Sequence, residues 1–281
     1  MKIDILSDLH LDFVINPWPT YKVACIQALY DKILSYDADV LIVAGDMSHY
    51  NSQTFIVLNM LVDIYGYKRI YIVTGNHDYY LINKNQRSKY RSSLDRAQEI
   101  WSYKDPRGVI IPLNGTLDYF EGVTFGGLGG WYDGSYLRHF PAGGWGYGSS
   151  NIDTLWKRSM NDHANMRGID TIYDLIAQER PKFDAIVNEC DVLISHVCPI
   201  SQLIAVDEEY REDKTSALYC FDGEKEIKEA ENLKLIVYGH SHGSRQFELH
   251  DKLFVMNTFG YPSESCVPTS ITEKDGEFYV E

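Results

Sequence analysis

The sequence predicts an α/β fold with a mixed sheet system, and three observations carry that expectation. Short apolar runs enriched in Ile and Val recur along the chain. Segments with helical spacing separate the early runs, as in βαβ units. The last runs lie close together with turn residues between them, as in an antiparallel meander.

In chain order the early runs are Lys2–Leu6 (KIDIL), Asp39–Ala44 (DVLIVA), Arg69–Val73 (RIYIV), Val123–Leu128 (VTFGGL), Asp191–Ser195 (DVLIS) and Leu233–Val237 (LKLIV). Near-continuous apolar character over so few residues predicts strands buried on both faces. Helical spacing over Val23–Tyr36 and Thr54–Tyr65 supplies the first crossovers. Gln246–Leu249, Lys252–Asn257 and Glu277–Val280 form the expected meander. One stretch breaks the pattern. From Gly129 to about Gly168 the chain is rich in Gly and aromatics, as in Phe140–Ser150 (FPAGGWGYGSS). Two helices are expected after it, with Pro181 in the first turn of the second, where its missing N–H is harmless. We read the chain as a single domain over residues 1–281, with a cap or active-site insert at about 129–190.

Composition narrows the class. Hydrophobic content of 44% and charged content of 23% suit a globular protein, and no run nears the ~18 apolar residues of a membrane span. The N-terminal MKIDILSDLH lacks a secretory h-region, so a cytoplasmic location is expected. A net charge of −14 opposes non-specific binding to nucleic acid, which is gripped by Lys and Arg. Five scattered cysteines without a CxxC pair argue against both a disulfide framework and a thiolate zinc site. No motif bears on oligomeric state.

The chemistry sits where the runs end. Lys2–Leu6 leads into Ser7-Asp8-Leu9-His10, Asp39–Ala44 into Gly45-Asp46, and Arg69–Val73 into Gly75-Asn76-His77-Asp78. Asp191–Ile194 leads into Ser195-His196, and Leu233–Val237 into Gly239-His240-Ser241-His242. Ligands bind at the carboxyl ends of strands in open α/β sheets. Turn chemistry explains Asn and Asp there but not paired histidines. Asp8, His10, Asp46, Asn76, His196, His240 and His242 offer imidazole nitrogen and oxygen only, a donor set for Mn, Fe, Zn or Ni. Residues i and i+2 of an extended segment point the same way, which would bring Asp8 with His10 and His240 with His242 to one centre. Seven donors suit two ions that share a bridging carboxylate, and Asp46 is the natural bridge.

In this order the motifs Asp8-x-His10, Gly45-Asp46, Gly75-Asn76-His77-Asp78, His196 and Gly239-His240-x-His242 resemble those of the calcineurin-like metallophosphoesterases. The resemblance runs from the first strand to about Asn257. It implies two packed mixed sheets flanked by helices, and two divalent metal ions, with manganese foremost and iron, zinc or nickel as alternatives. Asp8, His10, Asp46 and His242 would hold one ion; Asp46, Asn76, His196 and His240 would hold the other. His77 would face the scissile phosphate as a catalytic residue, and a metal-bridging hydroxide would attack phosphorus. Asp12 and Asp78 are expected as outer partners of the site.

Two departures narrow the branch. Gly45-Asp46 continues as Met47-Ser48-His49-Tyr50, without the Asp-Arg-Gly of the protein phosphatases, which leaves open what orients His77. The lipid-phosphate branch carries Arg where His77 stands. The expected substrate is therefore a small phosphate mono- or diester, with a nucleotide-like group among the candidates. Trp131, Tyr132 or Trp145 would stack on a flat group, and His163 would reach the substrate from the insert. A nuclease of the same family is the alternative enzyme, and a non-catalytic metal-binding scaffold is the alternative of another class.

Overall fold

A computed structural model describes residues 1–15, 23–140 and 151–281. The first sheet contains β1 (Lys2–Leu6), β2 (Val40–Ala44), β3 (Arg69–Val73) and β4 (Ile110–Pro112). The second contains β5 (Thr116–Phe120), β6 (Val123–Leu128), β7 (Val192–Ser195), β8 (Leu235–Tyr238), β9 (Ser244–Leu249) and β10 (Lys252–Asn257). The chain then returns to the first sheet as β11 (Ser270–Lys274) and β12 (Glu277–Val280). The strand orders are β12-β11-β1-β2-β3-β4 and β5-β6-β7-β8-β10-β9. The two packed mixed sheets flanked by helices are thus as expected.

Both faces of the central strands are buried, which is why they read as continuous apolar runs. On β2, Val40 and Ile42 face the other sheet and pack with Val192, Ile194, Leu235 and Val237. Leu41 and Val43 point the other way, against Val57, Leu58 and Leu61 of the helix Asn51–Tyr65. The outer face of the second sheet is covered by a separate cluster that includes Leu175, Phe183 and Ile227. Strands β1, β2 and β3 run parallel, as do β6, β7 and β8. Parallel direction is what delivers the polar residues after β1, β2, β3, β7 and β8 to one edge of the sandwich.

Three expectations need correction. The meander is split: β9 and β10 form a hairpin in the second sheet, while β11 and β12 belong to the first. Buried Asp4 explains the return, since it accepts hydrogen bonds from Ser270 Oγ (2.7 Å), Tyr67 Oη (2.7 Å) and Ser35 N (2.7 Å). Pro181 lies inside the helix Ile172–Ile186, which starts at a Thr171/Asp174 capping box. Segment Val23–Tyr36 is helical only over Val23–Tyr30. Among the described residues no helix is long and apolar enough to cross a membrane.

Candidate metal centre

The loops after the strands are tight. Among the nine non-glycine residues described with positive φ are Asp8 (52°), His10 (40°), Asp46 (52°), His240 (71°) and His242 (47°). Left-handed backbone costs an L-residue roughly 1–2 kcal/mol, so the surroundings must impose it. They do so through the backbone: Asp8 N donates to Gly45 O at 2.9 Å and His10 N to Asp46 O at 3.0 Å. Asp8 and His10 therefore converge because the chain coils past the strand end, not because of the pleat, while His240 and His242 turn to different groups of donors. Glycine is required beside them. A Cβ on Gly75 would lie 2.1 Å from Asp46 Oδ1, and one on Gly45 (φ 86°) would lie 2.5 Å from His196 Nδ1.

All seven candidate donors are brought together. Asp8, His10 and His242 form one group, Asp46, His196 and His240 a second, and His10, Asp46 and His77 a third that joins them. Within each group the donor atoms lie within 4.8 Å of one another. His10 Nε2 is 3.1 Å from His242 Nε2, and His196 Nε2 is 3.2 Å from Asn76 Oδ1.

Outer hydrogen bonds select which ring nitrogen faces inward. His196 Nδ1 donates to Ala44 O (2.8 Å), which leaves Nε2 unprotonated toward Asp46 (3.5 Å). His240 Nε2 donates to Leu218 O (3.0 Å), which frees Nδ1. His242 Nδ1 meets Glu264 Oε2 (2.8 Å), so its Nε2 faces Asp8 Oδ1 (3.6 Å). Burial holds His10 and His240 neutral, lowering them to about 4 and about 3.

The carboxylates diverge. Burial raises Asp46 well above the ordinary range, reinforced by the charges of Asp8 and Asp78. Burial would raise Asp8 too, but the neighbouring His196 and His242 outweigh it and hold it low. Two buried carboxyls that repel, ringed by imidazole nitrogens turned inward, fit a cation in both charge and donor type.

His77 answers to a residue that the sequence reading passed over. Its Nδ1 is 3.0 Å from His49 Nε2, and His49 Nδ1 is 2.7 Å from Asp12 Oδ2. Asp12 also accepts His49 N at 2.9 Å. Burial would raise Asp12, but its bonds to His49 outweigh that and lower it. Asp12 thus serves His49 rather than a candidate metal ligand. Asp78 accepts Gly75 N at 2.9 Å and braces the turn. Buried Arg96 ties both loops together, donating to His77 O (2.7 Å), Tyr80 O (2.9 Å) and Ser48 O (2.5 Å).

The insert is placed differently from expectation. Trp131 and Tyr132 are buried in the core, so stacking on a ligand does not suit their position. Exposed His163 packs edge-on against Trp156 at 5.5 Å. Trp145 lies outside the described residues. The insert meets the site through Ser159, Met160 and Asn161, on the wall of a cavity of about 300 Å³ floored by Asp46, Asn76 and His77. The aromatic rings around it are Tyr80, Tyr219 and Tyr261. Tyr261 stacks on His10 at 4.5 Å, and neither it nor Tyr219 stands in a recognisable motif.

Among solved structures, the phosphopantetheinyl hydrolase of Mycobacterium tuberculosis is similar, at 17% identity and a TM-score of 0.64, over 93% of this chain and 90% of that one. A zinc complex of Vps29 from Entamoeba histolytica aligns at 11% identity with a TM-score of 0.34, over 100% and 97% of the two chains. No curated protein matches the sequence. A family model, the calcineurin-like phosphoesterases, matches residues 1–244 and so spans every strand end that carries a candidate ligand; the chain belongs to that family.

Proposed function

We propose that this chain hydrolyses a small phosphate mono- or diester with two divalent ions, manganese foremost. Asp8, His10, His242 and Asp46 would hold one ion, and Asp46, Asn76, His196 and His240 the other. The observation that carries this reading is the sharing of Asp46, which belongs both to the group with His196 and His240 and to the group with His10. When bound, the ions supply Lewis acidity to the phosphoryl oxygens and acidify a water molecule.

The protein's own part is to orient and to move a proton. Asp12 fixes the protonated nitrogen of His49, so His49 Nε2 accepts from His77 Nδ1. That leaves His77 Nε2, 4.0 Å from Asp46 Oδ2, directed at the cavity. Burial lowers His77 well below the usual imidazole range, helped by the neighbouring His10 and His49. A phosphate dianion in the cavity reverses that balance and favours the imidazolium, which then donates to the leaving oxygen.

A second cavity of about 460 Å³ shares Tyr219, Ser241, His242 and Glu264 with the first and gives room for a leaving group. Its carboxylates Asp207, Glu209 and Asp213 oppose a polyanion, which favours the small ester over a nuclease substrate.

The test is reconstitution of metal-stripped protein with Mn, Ni, Zn, Fe or Mg, assayed on p-nitrophenyl phosphate and bis-p-nitrophenyl phosphate. Metal-dependent turnover that Asp46→Asn abolishes and His77→Ala lowers is expected. Wild-type protein that binds no metal would overturn the reading.

A further inference from the structure

Asp162 is fully buried on the short helix Asp162–Asn165, and among the described residues it forms no ion pair. Four uncharged donors surround it instead. Its Oδ1 accepts from Asn76 Nδ2 (2.8 Å) and Tyr80 Oη (2.5 Å). Its Oδ2 accepts from Trp156 Nε1 (2.9 Å) and from Tyr132 Oη. A buried carboxylate without a countercharge is expensive, and an amide of the same shape would be cheaper for packing alone.

The charge matters for what a carboxylate cannot do. It accepts and never donates, so Asn76 can show it only the NH2 end of its amide. Asn76 Oδ1 is thereby turned into the metal centre, toward His196 Nε2. The two ends of an asparagine amide are nearly the same size, and a flipped amide would point its hydrogens at a cation. We propose that Asp162 is a positioning residue that locks the Asn76 oxygen toward the metal, an inference that rests on Asn76 being a ligand as read above. Trp156 and Tyr132 hold the other oxygen, so the insert acts on the metal centre from behind its ligands. Tyr132 also stacks on His240, with ring centroids 5.5 Å apart at 12°.

The full chain carries the test, with Mn(II) affinity read by competition against a fluorescent chelator and melting of the metal-free protein read in parallel. In Asp162→Asn the new amide keeps its oxygen on Trp156 and Tyr132 and offers its NH2 to Asn76, which forces Asn76 to flip. Affinity for one metal equivalent then falls about 10–100-fold. The double variant Asn76→Asp/Asp162→Asn exchanges donor and acceptor across the same contact and recovers most of that loss. A merely structural role predicts lower melting temperatures in both variants and no such recovery. Unchanged affinity in Asp162→Asn, or a double variant no better than the single, overturns the proposal. Wild-type protein that binds no Mn(II) or other metal would instead overturn the functional reading on which it rests.

Discussion

The pairing of His49 with His77 can be cut without leaving a stray charge. We take His49→Phe together with Asp12→Asn: Phe preserves the face-to-face packing on His77 (centroids 5.1 Å, 5°), and Asn avoids an unpaired buried carboxylate. What is lost is the acceptor 3.0 Å from His77 Nδ1 and the negative charge behind it. A hydrogen bond to a charged group contributes roughly 1.5–3 kcal/mol, and about 1.4 kcal/mol is tenfold in rate. The expected fall in kcat is therefore roughly 10- to 150-fold. It should depend on the leaving group. An imidazolium that protonates the departing oxygen matters most for an alkyl phosphate and least for p-nitrophenyl phosphate, whose phenolate leaves unaided. The assay is a series of aryl and alkyl phosphates, with bound metal and melting temperature as controls. A uniform loss across the series, or none at all, would refute proton donation through this arrangement.

Gly75→Ala places a methyl 2.1 Å from Asp46 Oδ1, so Asp46 must move; we expect about 1–3 kcal/mol of destabilisation and a fall in metal bound per chain, measured by elemental analysis. Arg96→Met strands the carbonyls of Ser48, His77 and Tyr80 and removes the cation facing buried Asp78. The cost is about 3–5 kcal/mol, and urea unfolding that gives under 1 kcal/mol would contradict it. Away from the site, Asp105 accepts Val109 N (2.9 Å) and Ile110 N (3.1 Å); burial would raise its pKa, but these bonds prevail and lower it. Its contribution is present above the unfolded value near 3.9 and is lost as pH falls through the folded one. Asp105→Ala should thus melt lower at pH 7, by roughly 1–3 kcal/mol for two orphaned donors, with the gap to wild type closing in acid.

The strands that carry the site were legible because they are buried on both faces and end in residues no turn requires. Others were not. Ile110–Pro112 is three residues long, and Thr116–Phe120 is a mostly exposed edge with a weak apolar signal. The candidate ligands were legible by type but not by mechanism of approach. Alternation along a strand would have brought Asp8 to His10, yet both lie in left-handed turns, and nothing in the dipeptide spacing distinguishes the two routes. His49 lay in plain view two residues after Met47, but its partner Asp12 comes from the short helix Leu11–Val14 that follows β1, so its meaning exists only once β1 and β2 are paired.

The insert shows the same limit more sharply. Large aromatic rings in a glycine-rich stretch suggest a surface for flat ligands, yet each such ring also removes 150–250 Å² from water when it packs inward. Packing prevails for Trp131, Tyr132 and Trp156, and the polar edges of the last two find partners. Tyr132 and Trp156 find Asp162, one residue before the candidate His163. The partners of Asp162 come from positions 76, 80, 132 and 156, so no window of sequence contains the arrangement. The family's motifs supply the candidate donors. The groups proposed to orient them in this chain (His49 behind His77, Asp162 behind Asn76) come from outside the motifs, and substitutions there are expected to alter metal affinity or proton donation without touching a candidate ligand.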